Sequence, residues 1–186
     1  MSRVWITGYR SYELGVFSGK DAKIKILKFA LKRLLKEQLE MGLEWLITGG
    51  QLGVEQWSVE VAQELKQEYP DFKIAVMLPF KAFGSQWNED NQAQLAQIIG
   101  QSDFSDSVSS QPYNSPGQLI NYQNFMLSHT DSCLLIYDEE FEGKTQYDFK
   151  AIKQFQNRSP YPMQQVTMAD LQDYATEYDA LQQDNF

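Results

Sequence analysis

The sequence predicts an α/β protein: a Rossmann-like, doubly wound, mostly parallel sheet with helices on both faces. Three observations predict it. Short β-rich apolar runs alternate along the chain with longer segments whose apolar residues recur at helical spacing. Glycine or proline closes several of the strand-like runs. The chain has 186 residues, 42% of them hydrophobic, which is enough for one substantial core and short for two. The expectation is therefore a single domain over residues 1–186.

The elements follow in order. Val4–Thr7 reads as a strand closed by Gly8. Lys20–Met41 reads as a helix, with Ile24, Leu27, Leu31, Leu34 and Leu35 on one side and Gly42 at its end. Trp45–Thr48 is the second strand, broken by Gly49-Gly50. Val54–Tyr69 is the second helix, with Val61, Ala62 and Leu65 on one side and Pro70 as its stop. Lys73–Leu78 is the third strand, closed by Pro79. A helix is expected over Ser85–Ile99, a short strand over Phe104–Val108, and a helix from Pro116 to Ser128 with proline in its first turn. Cys133–Tyr137 is an apolar strand and Thr145–Gln156 a helix. Val166 and its neighbours make a weak last strand, and Thr167 caps a helix over Met168–Leu181. The segment Asp170–Asp184 carries acids and no bases, which predicts a solvated, fraying helix face.

Composition narrows the function classes. Sixteen basic against 25 acidic residues leave a formal charge of −9. Such a chain is repelled by phosphate backbones, so nucleic acid and anionic membranes are poor partners. A lone cysteine, Cys133, excludes an intramolecular disulfide and a cysteine metal cluster. A lone histidine, His129, excludes a His-rich metal site; its place near a helix end suits a cap, and Cys133 suits the core. The apolar run at the N-terminus is too short for a signal peptide, and no stretch approaches the roughly 20 apolar residues of a membrane helix. The expected location is the cytoplasm. Seven of the sixteen bases, from Lys20 to Lys36, fall on the first helix as its wet face or a dock for an acidic protein.

In an open parallel sheet, ligands bind beyond the carboxyl ends of the strands. That rule selects Thr7–Arg10, Gly49–Trp57, Pro79–Trp87, Tyr113–Asn124 and Asp138–Thr145. The strongest signal is Gly49-Gly50-Gln51-Leu52-Gly53, where a strand hands over to a helix. Glycines let the backbone turn sharply and approach a ligand, and the helix start offers N–H groups to a phosphate. The spacing is neither G-x-G-x-x-G nor a Walker A loop; Gly143-Lys144-Thr145 fails the latter because Asp138 stands where its first glycine belongs. The plain alternative is a tight turn without ligand. Glu55, in the first helical turn, is either a dipole-stabilised helix charge or a ribose contact and general acid/base. Arg10 is a phosphate partner or a surface arginine. Tyr9 and Tyr12 stack on a base or cover the sheet. Trp57 packs. Pro79, Phe80 and Trp87, like Gln118 and Tyr122 further on, suit a base or ribose and equally a packed loop.

These residues also carry a resemblance. Ile6-Thr7-Gly8-Tyr9-Arg10, Trp45–Trp57, Pro79-Phe80, Trp87-Asn88-Glu89 and Leu135–Glu139 resemble the YpsA family of Gram-positive bacteria over nearly the whole chain. That family is placed in the SLOG superfamily with DprA and the LOG phosphoribohydrolases. The resemblance implies a Rossmann-like fold, a site for a nucleotide or nucleotide-derived ligand, and a link to cell division and stress. The LOG enzymes draw a catalytic glutamate from a Pro-Gly-Gly-x-Gly-Thr-x-x-Glu segment. Here the fifth strand is followed instead by Asp138-Glu139-Glu140-Phe141-Glu142-Gly143-Lys144-Thr145.

The expected function is thus a cytosolic sensor or regulator that binds a nucleotide, ADP-ribose or NAD-like ligand. The rivals are a hydrolase of N-glycosidic bonds using Glu55, and an interaction module without ligand. Expected ligand-binding residues are Thr7, Gly8, Arg10, Gly49, Gly50, Gln51, Gly53, Glu55, Pro79, Phe80, Trp87, Asp138 and Thr145. No metal and no fixed cofactor are expected; a homo-oligomer and a cell-division protein are the candidate macromolecular partners.

Overall fold

Val4, Trp5 and Ile6 are fully buried, as a strand covered on both faces requires. They belong to β1 (Arg3–Gly8), the centre of a six-stranded sheet in the computed structural model, which describes residues 1–185. The other strands are β2 (Trp45–Thr48), β3 (Lys73–Phe80), β4 (Phe104–Ser109), β5 (Ser132–Ile136) and β6 (Met163–Val166). All pairings are parallel, in the order β4-β3-β2-β1-β5-β6. The chain runs outward from β1 to β4, then crosses back to β5 on the other flank of β1. The sheet therefore has its topological switch between β1 and β5.

The helices are α1 (Ala22–Glu40), α2 (Val54–Leu65), α3 (Glu89–Gln101), α4 (Gly117–His129), α5 (Gln146–Gln156) and α6 (Met168–Gln183). Helix α2 packs between α1 and α3, and α6 packs on α1. Helix α4 packs on α5. The direction of travel reverses at the switch, so right-handed crossovers put α4 and α5 on the face opposite α1–α3. The fold is the doubly wound α/β arrangement expected.

Several boundaries differ from expectation, each for a local reason. Helix α1 starts at Ala22 rather than Lys20 because the Asp21 side chain accepts from Lys23 N and caps it. Helix α2 ends at Leu65, short of Tyr69, and turns carry the chain to Pro70. Strand β3 continues through Pro79 to Phe80. Its pairing with β2 ends at Val76, so Pro79 has no ladder partner to deprive on that side. Helix α3 begins at Glu89, not Ser85: Asn88 accepts from Asn91 N as its cap, and Gly84 at φ +82° turns the chain before it. Ser11–Leu14 forms a short 3-10 turn that the apolar pattern did not signal.

Two exposed elements are tied to the rest of the fold. Helix α6 buries none of its residues, yet it is anchored to α1. Tyr174 and Tyr178 pack edge-on against Phe29, Arg33 pairs with Glu177, and Thr167 and Asp170 form a capping box at its start. The lysines of α1 are in part ion-paired within the molecule. Lys28, Lys32 and Lys36 meet Glu60, Glu64 and Glu68, a ladder at four-residue steps along α1 and the α2 side. His129 ends α4, its Nδ1 2.8 Å from Phe125 O and its ring stacked on Phe125; Cys133 is buried in β5.

A carboxylate-floored cleft at the switch point

Beyond the carboxyl ends of β1, β2 and β3 lies a cleft of about 380 Å³. Arg10, Gly49, Gly50, Gln51, Glu55 and Pro79 line it, and these six were among the residues expected to meet a ligand. So do Phe83, Pro116, Leu119, Ile120, Tyr122, Gln123 and Lys144, which fall in the selected strand-end segments, and Tyr147 and Asp148, which lie just beyond them. Its floor is polar and its walls are largely apolar. Leu119 and Ile120 of α4 and Tyr147 of α5 are 43%, 58% and 58% exposed, a high value for such side chains.

The floor is built where three elements converge. Thr7, the penultimate residue of β1, is buried with its hydroxyl 3.1 Å from Glu55 Oε1 and 3.3 Å from Asp148 Oδ2. Glu55 comes from the first turn of α2 and Asp148 from the first turn of α5. Gln123 Nε2 of α4 donates to Asp148 Oδ1 at 2.8 Å. Glu55 is 7% exposed, so it is not a simple surface charge at a helix start. Burial pushes its carboxyl up to about 7, the Asp148 charge adds to the rise, and the Arg10 charge opposes it. Burial raises Asp148 as well, against Gln123, Arg10 and Thr7.

Helix α4 supplies Tyr122, 8% exposed, whose hydroxyl is buried without a hydrogen-bond partner. Gly49 lies between that hydroxyl and Glu55. A Cβ on Gly49 would stand 2.7 Å from both Tyr122 OH and Glu55 Oε2. Burial, together with the Glu55 and Asp148 charges, drives Tyr122 well above the usual phenol range.

Part of the glycine turn and the first N–H of α2 have acceptors within the chain. Glu55 Oε2 accepts from Gln51 N at 2.8 Å, and Gln51 Oε1 accepts from Leu52 N at 3.0 Å. Val54 N donates to Tyr9 O at 3.1 Å. The chain's own acceptors thus fill much of the turn. Gln56 Nε2 donates to Gly50 O at 2.9 Å and pins the turn from behind.

The remaining expected residues support the cleft without lining it. Gly53 faces away, at φ +100°, with a Cβ position 2.5 Å from Tyr9 O and Ser11 N. Gly8 packs against Ile136 and Val54. Phe80 and Trp87 join Phe83 and Tyr113 in an aromatic cluster beside the cleft. Asp138 is spent on structure, its carboxylate accepting from Met168 N and Glu140 N. Thr145 is fully buried and its hydroxyl has no partner. Tyr9 is buried, bonded to Phe141 O, and so holds the loop after β5; Tyr12 is half exposed; Trp57 packs in the core. Glu13 ties the two loops of the switch together by accepting from Arg10 N and Lys144 N, each at 2.8 Å. Among the described residues no group of histidine, cysteine, aspartate and glutamate is arranged to hold a metal ion.

Lys144 lies in the selected segment Asp138–Thr145, and Asp148 lies just past its end. The rule that selected Asp138–Thr145 extends to the first helical turn beyond, where Asp148 sits. Tyr122 and Gln123 lie in the selected segment Tyr113–Asn124, though nothing in their spacing set them beside Glu55 and Asp148.

The fold and cleft together define a doubly wound α/β protein with a polar-floored cleft at its switch point. Comparison with known proteins narrows that class. The model of the YpsA family, described as the YspA SLOG family, matches residues 4–171. A UPF0398 protein of Leuconostoc citreum is 57% identical over 185 residues, covering 100% of this chain and 98% of that one. UPF0398 proteins of Lacticaseibacillus casei and Latilactobacillus sakei are 59% and 53% identical, covering 93% and 100% of this chain and 91% and 100% of theirs. The chain belongs to the YpsA family of the SLOG group. Among the described residues no helix is long and apolar enough to cross a membrane.

Proposed function

We propose that the cleft binds a nucleotide or nucleotide-derived ligand, and that the protein acts as a cytoplasmic sensor or regulator of that ligand. The observation that carries this reading is the pairing, in one cleft of about 380 Å³, of an apolar wall with a charged floor and two cationic side chains. Leu119, Ile120, Phe83 and Tyr147 suit the face of a base. Glu55 and Asp148 suit ribose hydroxyls. Arg10 and Lys144 suit phosphate, and they flank the cleft from the two loops that Glu13 joins. In this reading phosphate meets the side-chain cations Arg10 and Lys144, while the turn before α2 and the Val54 N–H already donate within the chain.

A second reading, hydrolysis of an N-glycosidic bond, draws on Glu55, whose carboxyl is pushed up to about 7 and so can serve as acid or base near neutral pH. Thermal shift with a panel of nucleoside monophosphates, NAD and ADP-ribose tests the first reading. A ligand-dependent rise in Tm that is lost in Lys144→Ala supports it; no shift at millimolar ligand contradicts it. Analysis of the incubated ligands for free base separates the second reading from the first.

A further inference from the structure

The contacts of Thr7 contain a count of hydrogens. Its hydroxyl has one hydrogen and can donate to one acceptor. Yet its oxygen lies within bonding distance of two carboxyl groups, 3.1 Å from Glu55 Oε1 and 3.3 Å from Asp148 Oδ2. The outer oxygens already accept elsewhere, Glu55 Oε2 from Gln51 N and Asp148 Oδ1 from Gln123 Nε2. With both carboxyls ionised, one of the two Thr7 contacts would set lone pair against lone pair in a buried site. With one proton added, both contacts become hydrogen bonds: one carboxyl donates to Thr7, and Thr7 donates to the other. Two carboxyls sharing a proton is the general answer to like charges held close.

A second feature points outward from this chain. The Tyr122 hydroxyl is buried and unpartnered, and it and Glu55 Oε2 each stand 2.7 Å from where a Cβ on Gly49 would sit. A ligand heteroatom that satisfies Tyr122 would lie beside the Glu55 carboxyl.

We propose that Thr7, Glu55 and Asp148 hold one shared proton, and that the cleft donates it from Glu55 to a ligand heteroatom positioned by Tyr122. The ligand class is one that presents a proton-accepting nitrogen or oxygen to the floor; the donor role rests on the cleft binding a ligand of the proposed kind. The balance is simple. The ligand gains one proton and the pair goes from one negative charge to two; for the transfer the proton moves from the Thr7-facing Oε1 to Oε2, the Glu55 oxygen beside Tyr122, and Thr7 then donates to Oε1. Every charged group facing the pair bears on this. Arg10 from the loop after β1 offsets the added charge, Lys144 before α5 lines the same cleft, and Tyr122 of α4 stays protonated. The raised carboxyls of Glu55 and Asp148 agree with a proton held in place.

The test uses the full chain with carbon-13 in its glutamate and aspartate carboxyls, titrated by NMR. The Glu55 and Asp148 signals are expected to titrate as a coupled pair, with one proton retained well above the ordinary carboxylate range. In Asp148→Asn the amide replaces the donated proton, and Glu55 loses proton affinity by about tenfold or more. Thr7→Ser keeps the coupled titration and Thr7→Val does not. A Glu55 titration indifferent to Asp148→Asn, or two carboxyls that both titrate in the ordinary range, overturns the shared proton. Calorimetry of ADP-ribose binding in buffers of different ionisation enthalpy tests donation. Proton uptake by the ligand that disappears in Glu55→Gln supports it, and binding without proton movement overturns it while leaving the ligand reading intact. A chain that titrates as described but binds no nucleotide removes the nucleotide reading and leaves the shared proton standing.

Discussion

Gly49 stands between Tyr122 and Glu55, with room for a hydrogen and not for a methyl: a Cβ there would come within 2.7 Å of the Tyr122 hydroxyl and of Glu55 Oε2. The glycine therefore sets how closely the two polar groups approach the same point of the cleft. Gly49→Ala is expected to destabilise the fold by about 1–3 kcal/mol through overpacking. It is also expected to remove ligand-induced stabilisation. Chemical denaturation and thermal shift on the same variant measure the two effects.

Gly53 makes a different demand. At φ +100°, with backbone atoms of Tyr9 and Ser11 2.5 Å from a Cβ, no side chain fits. Gly53→Ala should cost more than about 1 kcal/mol, and loss of ligand response in it should track loss of folded protein. Urea denaturation monitored by tryptophan fluorescence tells this apart from Gly49→Ala, where folded protein remains.

Glu55 sets a pH dependence whose sign follows from burial. Its carboxyl rises from 4.5 to about 7 in the folded state, so between those values the folded chain holds a proton that the unfolded chain has released. Stability from this group is fully present below about pH 4.5 and is lost as pH rises through about 7. The full swing is on the order of 3 kcal/mol. Glu55→Gln should flatten the slope of stability against pH across this window. Denaturation midpoints of both proteins at a series of pH values check it; equal slopes would contradict the buried-acid account.

Helix α6 depends on its capping box. Thr167 accepts from Asp170 N at 3.3 Å and the Asp170 carboxylate accepts from Thr167 N at 2.8 Å. Thr167→Ala should cost about 1 kcal/mol. Hydrogen exchange should quicken in the first turn of α6 and leave β1 and β5 protected.

The particular residues explain what was legible in the sequence. The fold was, because a sheet buried on both faces leaves unbroken apolar runs such as Val4-Trp5-Ile6 and Cys133-Leu134-Leu135-Ile136. Glycine at the β2–α2 junction likewise marked one wall of the cleft, with Glu55 beside it. The site was legible only in halves. Gly53 and Gly8 look like ligand glycines in sequence, and in three dimensions they serve backbone packing. Tyr122 was a candidate in sequence, but its place beside Glu55, and that of Asp148 from α5 more than ninety residues away, comes from a topology that spacing does not encode. Asp138 had the composition of a site residue, and a helix start claimed it.

The most direct measurement is an amide NMR titration of the full chain with ADP-ribose, NAD and nucleoside monophosphates to millimolar concentration. The account predicts saturable shifts for at least one of them, centred on Gly49, Gly50, Tyr122, Lys144 and Asp148 and weakened in Lys144→Ala. No shifts with any of these ligands, or shifts centred away from the β1–β5 switch, would contradict it.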